Sequence, residues 1–149
     1  MFGRNSDSGF TLIELLIVIA IIGILAVIGV PYYLNTLDRS RQKQSMANMH
    51  TLALHLGAYN ADTTRYPIAE NIHDLNEILQ EAQSNNIWFV LDGWHNEFVY
   101  NTEDDGKHYN LTSRGSDGEG DHAFEGEFPI DEFTREITMR DGEFAQWPK

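Results

Sequence analysis

The sequence predicts an α+β fold: a long N-terminal helix, membrane-spanning in its first half and amphipathic in its second, packed on a small antiparallel β-sheet. Three observations carry this prediction. No charged side chain occurs from Leu15 to Leu37, and at about 1.5 Å of rise per helical residue that run covers the roughly 30 Å of a hydrocarbon core. Beyond it, Met46, Met49, Leu52, Ala53, Leu56 and Tyr59 recur at steps of three and four, which draws one apolar stripe along a continuing helix. From residue 87 onwards, short runs rich in aromatic and β-branched residues alternate with turn residues, the pattern of short strands.

The apolar run begins with a contradiction. Glu14 stands near its start, in "SGFTLIELLI", and a charge at membrane depth costs about 2.5 to 3.5 kcal/mol even on lenient insertion scales. A secretory signal peptide would have an apolar core of about 7 to 15 residues closed by a small-x-small cleavage site; this run is longer and no clean site closes it. A plain single-span anchor explains the length but neither Glu14 nor the abrupt passage from the polar leader "MFGRNSDSG" to apolar helix at Gly9-Phe10. Arg39, Arg41 and Lys43 follow the run, and the positive-inside rule alone would place them in the cytoplasm. Pro31 lies inside the run; it removes one backbone hydrogen bond and bends the rod, which is tolerated where neighbours compensate.

"GFTLIELLIVIAIIGILAVIGVPYY", Gly9 to Tyr33, closely resembles the N-terminus of type IV pilins and of the pseudopilins of type II secretion. The resemblance implies that a prepilin peptidase cuts after Gly9 and methylates the new N-terminal residue, Phe10. It also implies that Glu14 is the glutamate used in assembly. Residues 1–9 are then a leader peptide, 10–37 a transmembrane and filament-core helix, and 38–149 a soluble globular domain. A freed amine on Phe10 can pair with the Glu14 carboxylate of a neighbouring subunit. Leaving one member of such a buried pair alone costs about 3 to 5 kcal/mol, which makes the pair a register device. The competing reading of Glu14 is a local charge that suits the helix macrodipole.

The soluble part continues with "TTRYP", which ends the long helix at Pro67, and with a short amphipathic helix marked by Ile72, Leu75, Ile78, Leu79 and Ala82. "IWFVL" and "EFVY" flank the turn "DGWHN", "HYNLTS" follows the turn-rich "TEDDGK", and "EITMRDGEFAQW" reads as an extra hairpin around Asp141-Gly142, anchored by Phe144 and Trp147. "RYP", "DGWHNEFVY" and "YNLTSRGSDG" resemble the soluble domain of the major pseudopilin of type II secretion, so the likeness reaches from Gly9 to about Gly120.

In "LTSRGSDGEGD", Leu111 to Asp121, the acids Asp117, Glu119 and Asp121 alternate among glycines, as in loops that gather oxygen ligands around calcium. An EF-hand is excluded because the glycine expected after the third acid is His122, the twelfth position is Phe128, and no helices flank the loop. The resemblance implies a different calcium loop, with ligation by Asp117, by a second carboxylate, and by the carbonyls of Leu111 and Ser113. Asp121 is preferred over Asp131 as the second carboxylate. Without the resemblance, Asp117-Gly118 is simply a turn and the acids a solvated face.

Composition closes off other classes. The 149 residues carry a net charge of -13, which argues against nucleic-acid binding. From Asp92 to the end, 15 Asp or Glu oppose five Lys or Arg, a net of -10. Cysteine is absent, which excludes disulfides and thiol chemistry. His95, His108 and His122 lie among acids, but no HExxH, Gly-x-Ser-x-Gly or Cys/His ligand set supports a hydrolase or zinc site. The expectation is therefore a non-enzymatic subunit of an envelope filament. It is held in the inner membrane by a single pass, with its soluble domain in the periplasm. Its partners are copies of itself in a helical filament, prepilin peptidase, other pseudopilins and an inner-membrane secretion platform. A type IV pilus subunit is the near alternative, and a membrane-anchored binding or catalytic domain the alternative from another class.

Overall fold

The computed structural model describes residues 10–83, 90–120 and 126–149. The leader with Gly9, the first half of "IWFVL", and Asp121 with His122 lie outside the described residues. Two helices and five strands follow in order: α1 (Leu12–Thr63), α2 (Ile72–Gln83), β1 (Val99–Glu103), β2 (His108–Ser113), β3 (Gly126–Phe128), β4 (Ile137–Arg140) and β5 (Glu143–Pro148). The chain divides into two compact units, one ending at Thr36 and one spanning Leu37–Lys149.

In the first unit the large apolar side chains are exposed throughout, from Phe10 just before α1 to Leu34 within it. Among the described residues α1 is the one helix long and apolar enough to cross a membrane. The helix continues through Pro31, whose missing N–H leaves the carbonyl four residues earlier without its usual donor.

In the second unit the stripe along α1 becomes core. Met49, Leu52 and Leu56 are buried, with Met46, Ala53 and Tyr59 packed against them. The stripe also extends backwards through two polar residues, Gln42 and Ser45, both buried, which keeps the steps of three and four without keeping the apolar character. α1 ends at Thr63, where Thr64 turns into the left-handed region (φ 65°). The Thr63 hydroxyl donates to the Tyr59 carbonyl at 2.8 Å.

α2 opens on Asn71, whose Oδ1 accepts the backbone N–H groups of His73 (2.8 Å) and Asp74 (3.0 Å), an N-cap in the usual sense. Ile72, Leu75 and Leu79 are buried, Ile78 is half-buried and Ala82 is exposed, so the stripe is narrower than the five positions predicted.

The sheet has the order β1-β2-β4-β5-β3. β1 pairs with β2, β2 with β4, and β4 with β5, all antiparallel. β3 pairs with β5 in parallel, so the sheet is mixed rather than wholly antiparallel. The reason lies in the tail: the hairpin at Asp141 (φ 51°) and Gly142 (φ 89°) turns β5 back beside β4, and the short β3 then lies along its far edge in the same direction. Lys149 N–H closes that edge on the Phe128 carbonyl at 2.9 Å.

The expected pairing of "IWFVL" with "EFVY" is, among the described residues, a single bridge between Leu91 and Glu97. The "RYP" segment packs on the β1–β2 hairpin: Tyr66 N–H donates to the Gly106 carbonyl (2.7 Å), the Tyr66 ring meets Tyr109 edge-on at 4.7 Å, and the Tyr100 hydroxyl donates to the Pro67 carbonyl at 2.8 Å.

Candidate functional site

The N-terminal end of α1 is built around Glu14. Its Oε2 accepts both the backbone N–H of Thr11 (2.9 Å) and the Thr11 hydroxyl (2.8 Å), while Glu14 N–H donates to Thr11 Oγ1 at 3.3 Å. This reciprocal arrangement is a capping box, with Thr11 at the N-cap and Glu14 three positions on. Thr11 was not singled out in the sequence reading, although the T-x-x-E spacing before an apolar run is its signature. In the isolated subunit the carboxylate is thus partnered by its own helix end. Phe10 beside it is exposed.

The loop after β2 holds the predicted metal ligands only in part. Leu111 and Ser113 are buried in β2. Leu111 is opposite Tyr100 on one side and Met139 on the other, and a central antiparallel strand directs each residue's carbonyl into one of its two ladders. The Ser113 hydroxyl donates to Asp92 Oδ2 at 2.7 Å. Asp117 is exposed and its Oδ1 accepts Glu119 N–H at 3.1 Å. Gly115 (φ 73°) and Gly118 (φ 70°) provide the turns. At Gly115 an added Cβ would stand 2.7 to 2.9 Å from the carbonyl oxygens of Phe133, Thr134 and Arg135, so the loop rests directly on that backbone. The donors are all oxygen, which suits a hard cation. Among the described residues, however, no three Asp, Glu or His side chains gather at one point, and the preferred second carboxylate, Asp121, lies outside them. Asp131 is exposed in the turn that follows β3.

Sequence reading did not anticipate Asp92. It is buried, and its Oδ1 accepts the backbone N–H groups of Trp94 and Asn96, both at 2.9 Å. With the Ser113 hydroxyl this gives the carboxylate three donors, and the signal was the Asx-turn spacing of "DGWHN". His95 and His108 do not come together: His95 is exposed in the turn, whereas His108 Nδ1 lies 2.7 Å from Asp141 Oδ2.

Comparison with known proteins places this geometry. Residues 4–30 match the prokaryotic N-terminal methylation motif, and residues 32–127 match the family described as type II secretion system (T2SS), protein G. The chain belongs to the type II secretion system protein G family. The core protein G of Pseudomonas aeruginosa is 28% identical over 126 residues, 77% of this chain and 87% of that protein. The core protein G of Klebsiella michiganensis is 37% identical over 67 residues, covering 45% of this chain and 47% of that protein, so that match spans about half the relative's length. A type IV major pilin protein of Myxococcus xanthus is 43% identical over 60 residues, 40% of this chain and 27% of the pilin. No solved structure gives a significant match. Within the protein G family, the methylation motif covers Gly9, Phe10, Thr11 and Glu14, and the family match covers α2, β1, β2 and the loop with Asp117.

Proposed function

We propose that the chain is a structural subunit of a pseudopilus that supports type II protein secretion, polymerising through the first half of α1. The observation that supports this best is that a secretion protein G match covers most of the soluble unit directly after a methylation motif. The exposed apolar side chains from Leu12 to Leu34 require a lipid or protein surround. Neighbouring copies of the same helix supply one without exposing backbone groups, since a helix satisfies its own. Cleavage after Gly9 frees the Phe10 amine, and the Glu14 carboxylate then exchanges part of its contact with Thr11 for the amine of the adjoining subunit. Prepilin peptidase, other pseudopilins and an inner-membrane platform are the partners this scheme needs, with the soluble unit on the periplasmic side. The function is assembly; no chemical reaction is assigned to it.

The test is reconstitution. Co-expression with a prepilin peptidase should remove nine residues, Gly9→Ala should block removal, and Glu14→Ala should be inserted and processed yet form few filaments. A wild-type chain that stays full length, or normal filament yield from Glu14→Ala, would refute the scheme. The pilin likeness of the N-terminal segment supports one second reading, a type IV pilus subunit; rescue of secretion rather than of piliation in a deletion strain separates the two.

We propose in addition that the loop Leu111–Asp121 binds calcium. Its oxygen-only donors, the exposed Asp117 carboxylate and the turns at Gly115 and Gly118 support this. Asp117 and Asp121 would supply carboxylates, and the carbonyls of Leu111 and Ser113 the neutral oxygens. Bound calcium would offset part of the acidic charge of the domain.

A further inference from the structure

The turn Asp92–Asn96 touches two separate parts of the soluble unit through different atoms. Towards the sheet, Asp92 holds the Ser113 hydroxyl (2.7 Å) at the end of β2 and the amides of Trp94 and Asn96 within the turn (both 2.9 Å). Asn96 Nδ2 donates to the Gly115 carbonyl at 2.7 Å, and a Cβ at Gly118 would stand 3.0 Å from Asn96 Oδ1. Towards the helix, Gly93 N–H donates to Ser45 Oγ at 2.9 Å. Trp94 Nε1–H donates to Asp38 Oδ1 at 3.2 Å, and the Asn48 amide donates to the Leu91 carbonyl at 3.3 Å. A Cβ at Gly93 would lie 2.1 Å from the Arg41 carbonyl oxygen, so here backbone is packed against backbone with no side chain between.

We propose that Asp92 and Asn96 are positioning residues that relay the conformation of the loop Ser113–Gly118 to α1 at Asp38–Ser45, the stretch directly after the apolar run. A buried carboxylate held by three donors has one favourable orientation, because losing any donor leaves an unsatisfied charge. The position of Ser113 therefore sets Asp92, Asp92 sets the turn amides, and the turn sets the contact of Gly93 with Ser45. Asn96 adds a second link from Gly115 to the same turn. A divalent cation that reshapes the loop would by this route change how firmly the turn grips the helix at the base of the soluble unit. The purpose of the relay rests on the pseudopilin reading above, but its test needs neither filament nor cation.

The experiment is amide hydrogen exchange on the full chain in detergent micelles. Gly115→Ala displaces the loop from the Phe133–Arg135 backbone and with it the carbonyl that Asn96 Nδ2 holds; Ser113→Ala removes one donor from Asp92, and it serves where Gly115→Ala does not fold. In either variant the Gly93 amide should exchange about tenfold faster, while the Leu79 amide in α2 stays within about twofold of wild type. In an Asn96→Ala background, Gly115→Ala should accelerate Gly93 by clearly less than in the wild-type background, because only the Ser113–Asp92 link remains. The relay is overturned if Gly93 exchange is unchanged, if Gly93 and Leu79 accelerate together as in global loosening, or if the Asn96→Ala and Gly115→Ala effects simply add. Filament yield is measured separately, so a failed relay leaves the assembly reading intact, and the reverse holds too.

Discussion

Tyr100 and Tyr109 show how much a single atom decides at the residue scale. Both rings are buried, stacked at a centroid separation of 6.1 Å, yet the Tyr100 hydroxyl donates to the Pro67 carbonyl whereas the Tyr109 hydroxyl, beside the Gly142 backbone N–H, finds no acceptor among the described residues. Tyr100→Phe should cost about 1 kcal/mol, and Tyr109→Phe should cost less, because its hydroxyl gives up no acceptor; urea titration of the two variants checks the difference. Burial, reinforced by neighbouring tyrosines, pushes both phenols well above the ordinary tyrosine range. A phenol whose folded-state pKa is raised holds its proton more tightly when folded. Stability is then intact below the unfolded pKa of about 10 and falls as pH rises above it. Melting curves from pH 8 to 11 should drop steeply for wild type and less for the double Phe variant.

At the scale of elements, the two helices end by different means. α1 stops where Thr64 turns left-handed and Thr63 binds back to Tyr59; α2 starts where Asn71 caps two amides. Asn71→Ala should cost about 1 kcal/mol, and Asn71→Asp should retain most of the cap, measured by chemical denaturation of the unit Leu37–Lys149 within the full chain. Among the strands, the Asp141-Gly142 turn is more than a hairpin tip: Asp141 Oδ1 accepts Tyr109 N–H at 3.0 Å, and Oδ2 lies 2.7 Å from His108. The turn is thus tied to the first residues of β2, the strand paired with β4 but 32 positions earlier in the chain, which sequence patterning along the tail could not reveal.

For the whole molecule, the assembly and calcium readings make separate claims. Calcium that binds only the folded state adds RT ln(1 + [L]/Kd), about 2.7 kcal/mol at a hundredfold excess over Kd. The melting temperature should then rise by about 5 °C or more and fall back on chelation. Asp117→Ala should remove the calcium-dependent part and leave the calcium-free stability near wild type, since Asp117 is exposed and its carboxylate holds one local amide, Glu119 N–H. Magnesium should substitute poorly, because it requires a tighter octahedral shell. A calcium titration that leaves the wild-type melting curve unmoved would reduce the loop to an acidic turn.

The sequence by itself determined the division of labour along the chain. An uncharged run of spanning length, an apolar stripe at steps of three and four, and turn residues at Asp141-Gly142 are local, periodic signals, and periodicity is what a helix or hairpin reads. Those signals placed the long helix, α2, β2 and the tail hairpin, and the Gly9–Tyr33 motif carried the family. Tertiary structure alone decided the rest, because the remaining contacts join residues far apart in the chain. The parallel pairing of β3 with β5 depends on where the tail hairpin comes to lie. Ser45 is buried despite its polarity because its hydroxyl oxygen receives the Gly93 amide from 48 positions away, whereas Gln42 is buried with its Nε2 unpartnered among the described residues. Asp92 looks in sequence like any acid before a glycine; it becomes a buried junction only when the turn is pressed between α1 and the end of β2, where three donors converge on it.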